Sequence, residues 1–312
     1  MTADVVVVTW RGREVLASCL EHLAAQEEPH RTVVVDNASR DGTAELVRDR
    51  FPQATFVELP ANVGFGAAVN AGVAAGDGEA IVLVNNDVDV DPGFLRALLA
   101  PLRANPRVGM VAGLTVMPGR ERVDAFGIEL DAGLAAYNRL RHAPPEAAAG
   151  GAPGAGVLAG PSGGAAAYRR TAFEQVGGFD ETLIAYGEDV DLALRLRAAG
   201  WLAAAAPDAR GVHLGGATIG VDSPRQRWLA GFARGFLLRR WGVLRTRAAA
   251  RALLVDALVV GWGIARHRTL APLRARRAGW RAAGRGSRAL PPDAIEHGIG
   301  VAESIRRLRT MR

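Results

Sequence analysis

Amides and carboxylates follow directly after a short apolar run in this chain, at residues 85–89. The run at 81–84 is rich in β-branched residues and too short for a helix, so it predicts a strand buried on both faces of an α/β sheet. Asp87 and Asp89 then follow at i and i+2, at the carboxyl end where open α/β sheets bind ligands. Two carboxylates there can hold one hard cation together with a diphosphate. A polar turn is the simpler alternative.

A second acidic group, Glu188, Asp189 and Asp191, precedes a helical apolar pattern at 192–199 that ends before Gly200. The first two acids therefore lie at a helix N-terminus, where the dipole and free N–H groups favour ionised carboxylates. Capping explains any one of these acids. Three acids within four residues exceed what a cap requires, so we expect this group to do chemistry.

The segment 62–72 contains G-x-G, but a valine stands where a dinucleotide fingerprint has its third glycine. The segment also does not follow the first strand, which argues against a Rossmann dehydrogenase. A turn into a helix is the better interpretation. Small residues such as Gly64 let such a helix approach a ligand closely, and Asn62 and Asn70 offer side-chain hydrogen bonds.

Strands and helices alternate along most of the chain, which predicts βαβ units and a mostly parallel sheet. Strands are predicted at 5–9, 32–35, 55–59, 81–84, 108–116 and 201–206, and helices at 14–25, 44–50, 94–103 and 192–199. The pattern deteriorates at 118–160. A long loop of this kind is usually functional or disordered, and the sequence leaves open whether it is a lid or a featureless excursion.

Composition indicates a soluble globular protein of 312 residues, with 49% hydrophobic and 22% charged residues. Cys19 is the only cysteine, which excludes an intrachain disulfide or a cysteine metal cluster and fits the cytoplasm. The N-terminus shows no signal-peptide pattern. The apolar stretch 252–265 is interrupted by Asp256 and is shorter than the ~20 residues that span a bilayer, so no spanning helix is expected.

Charge divides the chain in two. Residues 1–223 carry 18 arginines against 28 acidic residues, whereas residues 224–312 carry 20 arginines against 4. We therefore predict an acidic α/β domain at 1–223 and a basic helical region at 224–312. Such a region suits an anionic partner, either an inner-membrane surface or a nucleic acid, or it packs on the acidic domain.

The basic region begins with aromatic residues at helical spacing, interleaved with arginines: Trp228, Phe232, Phe236 and Trp241. This pattern is typical of an interfacial helix at residues 224–265 and equally of a helix docked on a domain. Because no nucleic-acid-binding motif is present, we do not expect nucleic acid as the partner.

Five segments appear in the order found in one enzyme family: VVVTW, VDNASRDGT, NVGFGAAVNAG, VNNDVD and GEDVDLALRLRAAGW, with His213 beyond them. Over residues 4–220 the chain resembles the family 2 inverting glycosyltransferases, and most closely the bacterial rhamnosyltransferase-like branch. The resemblance implies a GT-A fold and a nucleotide-diphosphate sugar donor. A dTDP-sugar, dTDP-rhamnose first, is expected from the branch, with UDP-sugars open, and a glycan or polyprenyl-linked acceptor.

The resemblance also implies donor-binding residues at the strand ends. Asp36 would hold the base or ribose, helped by Thr9 at the end of the first strand. The other residues that the resemblance implies in donor binding are Asn37, Asn62, Gly64, Asn70, Asn86 and Asp87.

Metal and catalytic roles follow from the same resemblance. Asp87 and Asp89 match the D-x-D position that binds Mg²⁺ or Mn²⁺, and His213 matches a histidine that completes the metal site in some relatives. Asp189 matches the catalytic base, with Glu188 and Asp191 expected to orient the acceptor or tune that base. One departure is Arg11, where many relatives carry Asn.

Two other classes compete with a glycosyltransferase. A sugar nucleotidyltransferase has a similar α/β layout, but its Gly-rich basic loop after the first strand is poorly matched by 9–13. A non-catalytic nucleotide-sugar-binding protein is the other alternative. The complete set of acids argues against it, and transfer or hydrolysis of a donor separates the two.

Overall fold

Valine-rich runs form the centre of the protein, as the sequence predicts. The structure is a computed structural model that describes residues 1–149, 156–215, 223–284 and 287–310. Its strands are β1 Ala3–Thr9, β2 Arg31–Asp36, β3 Thr55–Glu58, β4 Ala80–Val84, β5 Val88–Val90, β6 Val108–Val116, β7 Val123–Ala125, β8 Ile128–Asp131, β9 Ala136–Asn138, β10 Ala165–Arg169, β11 Leu202–His213 and β12 Ile295–Glu296. Its α-helices are α1 Arg13–Ala24, α2 Thr43–Arg50, α3 Phe65–Ala74, α4 Phe94–Ala104, α5 Arg170–Gln175, α6 Glu188–Ala198, α7 Pro224–Arg240, α8 Ala249–His267, α9 Ala271–Ala282 and α10 Val301–Thr310.

The large sheet has the strand order β3-β2-β1-β4-β10-β6-β11-β5, with β7 paired to β6. Strands β3, β2, β1 and β4 are parallel, which confirms the predicted βαβ units in this half. In the other half β10 runs antiparallel between β4 and β6, and β5 runs antiparallel to β11. The sheet is therefore mixed, and the carboxyl ends of β1, β2 and β4 meet at one edge.

Each face of this sheet is covered by helices, and alternation along β1 shows why both faces are apolar. Val5 and Val7 pack on the side of α1 and α4, whereas Val6 packs on the side of α3 and α6. All three valines are at most 1% exposed. Burial of such a side chain contributes roughly 1.5–3 kcal/mol, so a run of valines holds the two helical layers to one strand.

The segment 118–160 is not featureless in its described part. It adds β7 to the large sheet and supplies β8 and β9 of a small second sheet, in which β8 pairs with both β9 and β12. Residues 150–155 of the Ala-, Gly- and Pro-rich stretch lie outside the described residues. The segment is thus an insertion with its own strands, which the weak sequence pattern did not reveal.

Helix α7 packs on the protein. Phe236 and Trp241 are 1% and 0% exposed and share a core with Leu194 of α6. The Trp241 indole N–H donates to Asp191 at 3.1 Å, so this helix shares buried polar contacts with the first 223 residues as well. Of the predicted aromatic stripe only Trp228 is substantially exposed. The structure therefore supports the docked-helix interpretation for α7.

No helix within the described ranges is long and apolar enough to cross a membrane.

Candidate active site

Three buried side chains join the ends of the parallel strands. The Asn86 side-chain amide donates to Thr9 Oγ1 at 3.0 Å, and the Asn37 backbone N–H donates to the Thr9 carbonyl at 2.9 Å. All three residues are at most 7% exposed. These contacts fix the floor of a site at the sheet edge where the sequence placed it.

An amide network connects this floor to the start of α3. Asn37 Oδ1 accepts from the backbone N–H of Val63 at 2.9 Å, and Asn37 Nδ2 donates to the Gly64 carbonyl at 3.2 Å. Asn62 Oδ1 accepts from the Gly64 N–H at 3.1 Å. Gly64 has a φ of +93°, and the next N–H, of Phe65, donates to the Ile184 carbonyl at 2.8 Å. The tight turn therefore requires glycine and brings α3 against the segment that precedes α6.

A cavity of about 470 Å³ opens above this floor. It lies between the strand ends, the starts of α3 and α6, and the first turn of α7. Its polar lining residues are Asn37, Asn62, Asn85, Asn86, Asp87, Thr115, Asp124, Asn138, Ser162, Glu188, Asp189, His213, Arg225 and Gln226. Residues from the two predicted acidic groups thus share one cavity, although the groups are about 100 positions apart in the sequence.

Strand pairing brings Asp87 and His213 together. His213 is the last residue of β11 and lies opposite Val88 of β5, so its ring reaches the turn that carries Asp87. His213 Nε2 lies 3.3 Å from Asp87 Oδ1, and His213 Nδ1 lies 2.7 Å from Asp124 Oδ2. Burial opposes the charged imidazole, but the hydrogen bonds to Asp124 and Asp87 raise the pKa of His213 to about 10.

This arrangement fits a divalent cation. A histidine that binds a metal through one nitrogen usually has its other nitrogen held by a carboxylate, and Asp124 takes that second position. Mg²⁺ is commonly held by one or two carboxylates together with substrate phosphates. The described ranges contain no group of three or more His, Cys, Asp or Glu side chains arranged around a metal position. Asp87 and His213 could therefore supply part of a ligand set for such a cation, but not a complete one.

Asp89 lies elsewhere. The Val88 N–H donates to the Asn85 carbonyl at 3.1 Å, so residues 85–88 form a turn and the i, i+2 pair does not share one strand face. Asp89 accepts from Ser18 Oγ of α1 at 2.9 Å and lies 3.6 Å from His22 Nδ1. The spacing predicted that Asp87 and Asp89 hold one cation together, but Asp89 does not line the cavity.

The acids of α6 separate into two groups. Glu188 and Asp189 lie in the first turn, after Gly187 in the left-handed conformation, and both line the cavity. Burial, and then the neighbouring Asp189 carboxylate, raise the pKa of Glu188, and burial raises that of Asp189. Glu188 Oε2 is buried without a hydrogen-bond partner among the described residues. Either side chain, when ionised, could accept a proton from a group in the cavity.

Asp191, the third acid, is fully buried and points away from the cavity. It accepts from Arg195 Nε at 2.7 Å and from the Trp241 indole at 3.1 Å. The same guanidinium donates to the carbonyls of Val176 and Gly178. Asp191 therefore joins α6 to α7 and to the preceding loop and does not face a substrate.

Three predicted donor-binding residues do not line this cavity: Thr9, which is buried in its floor, Asn70 and Asp36. Asn70 exchanges hydrogen bonds of 3.0 Å with the backbone of Phe179 and so positions the loop before α6. Asp36 accepts from the Ser39 N–H at 3.1 Å and lines a neighbouring cavity of about 640 Å³ at the ends of β2 and β3. Burial raises its pKa, although hydrogen bonds from Ser39 act in the opposite direction.

Two site features were missed in the sequence. Asp124 comes from the weakly patterned insertion, and only the β7–β6–β11–β5 pairing places it beside His213. The Trp10 ring has the guanidinium groups of Arg11 and Arg225 each 5.2 Å from its centroid, which brings α7 to the cavity edge. Both depend on long-range packing, for which the sequence carries no local signal.

Comparisons with known proteins agree with this fold. The profile described as Glycosyl transferase family 2 matches residues 4–177, and the profile described as N-terminal domain of galactosyltransferase matches residues 158–213. An N-acetylglucosaminyl-diphospho-decaprenol L-rhamnosyltransferase of Mycobacterium tuberculosis is 34% identical over 247 residues, which cover 70% of this chain and 78% of that protein. An O-antigen biosynthesis protein of Myxococcus xanthus is 27% identical over 70% of this chain and 18% of its own length.

Solved glycosyltransferases share the fold. A mannosyltransferase of Pyrobaculum calidifontis, in complex with GDP-Man and Mn²⁺, covers 90% of this chain and 75% of its own, with a TM-score of 0.54 and 23% identity. GalNAc-T7 with UDP, GalNAc and Mn²⁺ covers 77% of this chain and 48% of its own, with a TM-score of 0.59 and 15% identity. The chain belongs to glycosyltransferase family 2 and has the GT-A fold. It is a glycosyltransferase, as the sequence resemblance predicted.

Proposed function

We propose that this protein transfers a sugar, with inversion, from a nucleotide-diphosphate donor to a lipid-linked acceptor in a reaction that depends on a divalent metal. The observation that carries the proposal is the shared cavity, which holds Asp87 and His213 together with Glu188 and Asp189. It would supply a place for a leaving diphosphate and a proton acceptor within one cavity.

The donor diphosphate would lie beside Asp87 and His213, with Asp124 fixing the imidazole. A bound Mg²⁺ or Mn²⁺ supplies positive charge that stabilises the leaving diphosphate. The amide network around Asn37 and Asn62 faces the same cavity and suits the polar nucleoside. Asp36 lies in the adjoining cavity at the end of β2, where it would hold the base or ribose if the nucleoside extends that far.

The transfer itself requires one base and no protein nucleophile. The acceptor hydroxyl oxygen bonds to the anomeric carbon while the bond from that carbon to the diphosphate oxygen breaks, and the electron pair leaves with the diphosphate. The hydroxyl proton passes to Asp189. Burial raises the pKa of this carboxyl group, which makes it a stronger base than an exposed aspartate. Glu188, next to it, would orient the acceptor.

The donor and acceptor classes are drawn from the relatives. The relative that is 34% identical is named as a rhamnosyltransferase acting on N-acetylglucosaminyl-diphospho-decaprenol. We therefore expect dTDP-rhamnose as donor, with UDP-sugars as the alternative, and a polyprenyl-diphosphate-linked sugar as acceptor. Such an acceptor places the enzyme in the cytoplasm at the inner face of the membrane.

A thermal-shift screen tests the donor proposal. Nucleoside diphosphates and their sugars, each with and without Mn²⁺, should raise the melting temperature only for the correct nucleotide and chiefly with metal, because a ligand of the native state stabilises it. Transfer of labelled sugar to a lipid-linked acceptor then establishes turnover. Stabilisation without transfer or hydrolysis would instead favour a nucleotide-sugar-binding protein, and the absence of any shift would remove the donor proposal.

A further inference from the structure

One face of α8 exposes large apolar side chains. Leu253, Leu254, Leu258 and Trp262 recur at helical spacing and are each 49–58% exposed. The residues between them on this face, at 257, 261 and 265, are alanine and glycine. The exposed face of a helix in a soluble protein is normally polar. This surface, which we call the α8 face, is therefore unusual.

The α8 face extends onto the start of α9. Leu270 and Leu273 are 51% and 53% exposed. Of the eleven large apolar residues that are exposed among the described residues, six therefore lie within 253–273. Single exposed apolar residues need no explanation, but a contiguous group of them marks an interaction surface.

Contacts on the other side of α8 hold the helix in an orientation that leaves the α8 face exposed. Ala252 and Val255 are buried. Asp256, the only acidic residue of α8, lies 3.0 Å from both Arg234 Nε of α7 and Arg276 Nε of α9. Rotating the helix would break these two partly buried ion contacts, so the apolar face remains outward.

Exposed arginines lie at the end of α8 and along α9. They are Arg266, Arg268, Arg274, Arg277 and Arg281. None of the five forms an ion pair with another described residue, whereas six other arginines of the helical region do, including Arg251 with Asp131 and Arg240 with Asp180. The surface thus combines an apolar stripe, one tryptophan and uncompensated positive charge.

We infer that the α8 face docks on an anionic phospholipid membrane, with the leucines and Trp262 inserted at the interface and the arginines contacting lipid phosphates. Interfacial helices have this composition, and tryptophan is enriched where apolar and polar layers meet. Anionic lipids attract nearby arginines by about 1 kcal/mol each. The inference rests on the proposed function in that a lipid-linked acceptor requires the enzyme to be near a membrane.

A second copy of this chain is a poorer occupant. A symmetric dimer would place the same face against itself. That arrangement would bring the five arginines of one copy close to the five of the other, and like charges at an interface disfavour association. The charge of the surface therefore favours lipid phosphate over self-association.

Co-sedimentation with vesicles tests the inference on the full chain, with no lipid-linked acceptor present. We expect the wild type to bind vesicles of mixed anionic and neutral phospholipid more tightly than purely neutral vesicles, and less tightly at high salt. The triple variant Leu254→Gln/Leu258→Gln/Trp262→Gln should lower the vesicle partition coefficient about 1000-fold, since each side chain contributes about tenfold. Equal binding by this variant and the wild type would overturn the inference.

A matched pair of charge variants measures how much the arginines contribute to vesicle binding. Arg274→Gln/Arg277→Gln should weaken binding to anionic vesicles roughly 10- to 30-fold. Arg96→Gln/Arg107→Gln removes the same charge from exposed positions of the catalytic domain and should change binding little. Equal loss in both variants would show nonspecific charge attraction and overturn the docking surface.

Two further measurements separate this inference from the proposed function. The melting-temperature shift caused by nucleotide and Mn²⁺ should be the same in the triple variant and the wild type, because α8 does not line the cavity. Sedimentation equilibrium without vesicles should show monomers. Dimers that the triple variant abolishes, in a protein that does not bind vesicles, would instead assign the α8 face to a second copy.

Discussion

His213 Nδ1 and Asp124 Oδ2 lie 2.7 Å apart although 89 positions separate them in the chain. The contact exists because β7, β6, β11 and β5 are consecutive neighbours in the sheet. Asp124 lies in β7, the strand of the segment 118–160 that pairs with β6 of the large sheet. Its carboxylate therefore explains what the insertion contributes to the site: it holds the imidazole with Nε2 toward Asp87.

Asp124→Asn should weaken metal binding. The amide cannot provide the negative charge that fixes the imidazole tautomer, and loss of such a partner costs about 10- to 100-fold in metal affinity. Titration of Mn²⁺ in the presence of a nucleoside diphosphate, followed by electron paramagnetic resonance, measures this directly. Asp208→Asn makes the same change at an exposed position of β11. An unaltered Mn²⁺ affinity in Asp124→Asn would remove Asp124 from this role.

Asp189→Asn should fold normally and bind donor but turn over slowly. Loss of a positioned general base costs about 10²- to 10⁴-fold in rate. The comparison is between kcat and the nucleotide-induced melting shift, and only kcat should fall. Near-normal turnover would exclude Asp189 as the base and direct attention to Glu188, which lines the same cavity.

Asp191→Asn should lower the stability of the protein, in contrast with Asp189→Asn, which should lower turnover. It leaves Arg195 buried without its charged partner, and breaking a buried pair in this way costs about 3–5 kcal/mol of the free energy of unfolding. Urea denaturation measures the loss. If the variant were as stable as wild type and lacked only activity, Asp191 would belong to the catalytic group after all.

Glu188→Gln should stabilise the protein increasingly as the pH rises. Burial, and then Asp189, raise the pKa of Glu188 in the folded state, so folding favours the protonated form. That contribution to stability is present at low pH and is lost as the pH rises through the raised pKa. The free energy of unfolding of the variant, relative to wild type, should therefore be larger at about pH 9 than at about pH 5.

The exposed Glu14→Gln in α1 is the matched control for this pH dependence. It should shift the free energy of unfolding little at either pH. A stability difference for Glu188→Gln that does not change with pH would contradict the raised pKa, whatever its effect on activity.

The sequence located the site because strand ends are readable from local pattern. Apolar runs that stop at Thr9, Asn37 and Asn86 predict which residues meet at one sheet edge, since parallel strands align their carboxyl ends. The helix start at Glu188 is also predictable from local pattern, because acidic residues there precede apolar residues at helical spacing. These placements are confirmed by the cavity and its floor.

Side-chain direction was the part that local pattern could not provide. Asp89 follows a turn, so its spacing from Asp87 does not decide its face. Asp191 follows Asp189 by two positions on a helix, which turns it about 200° away and into the core. Asn70 lies in α3, but its side chain contacts the Phe179 backbone and does not line the cavity. In each case the polar residue serves a long-range contact that only the folded chain defines.

The turn at Gly64 provides a last test, which concerns the site rather than the core. Gly64 combines φ +93° with ψ 169°, a region open essentially only to glycine. A Cβ there would lie 2.5 Å from the Ile184 carbonyl oxygen, which accepts the Phe65 N–H. Gly64→Ala should therefore lower the free energy of unfolding by about 1–3 kcal/mol and weaken nucleotide binding, because the start of α3 must move.

Gly177→Ala separates crowding from backbone strain. Gly177 also has a positive φ, of +82°, but an added Cβ would meet no heavy atom within 4 Å. It should reduce stability while leaving the nucleotide-induced melting shift at its wild-type value. Gly64→Ala should reduce both. If the two variants bind nucleotide equally well, the close approach of Gly64 to Ile184 has no part in forming the donor cavity.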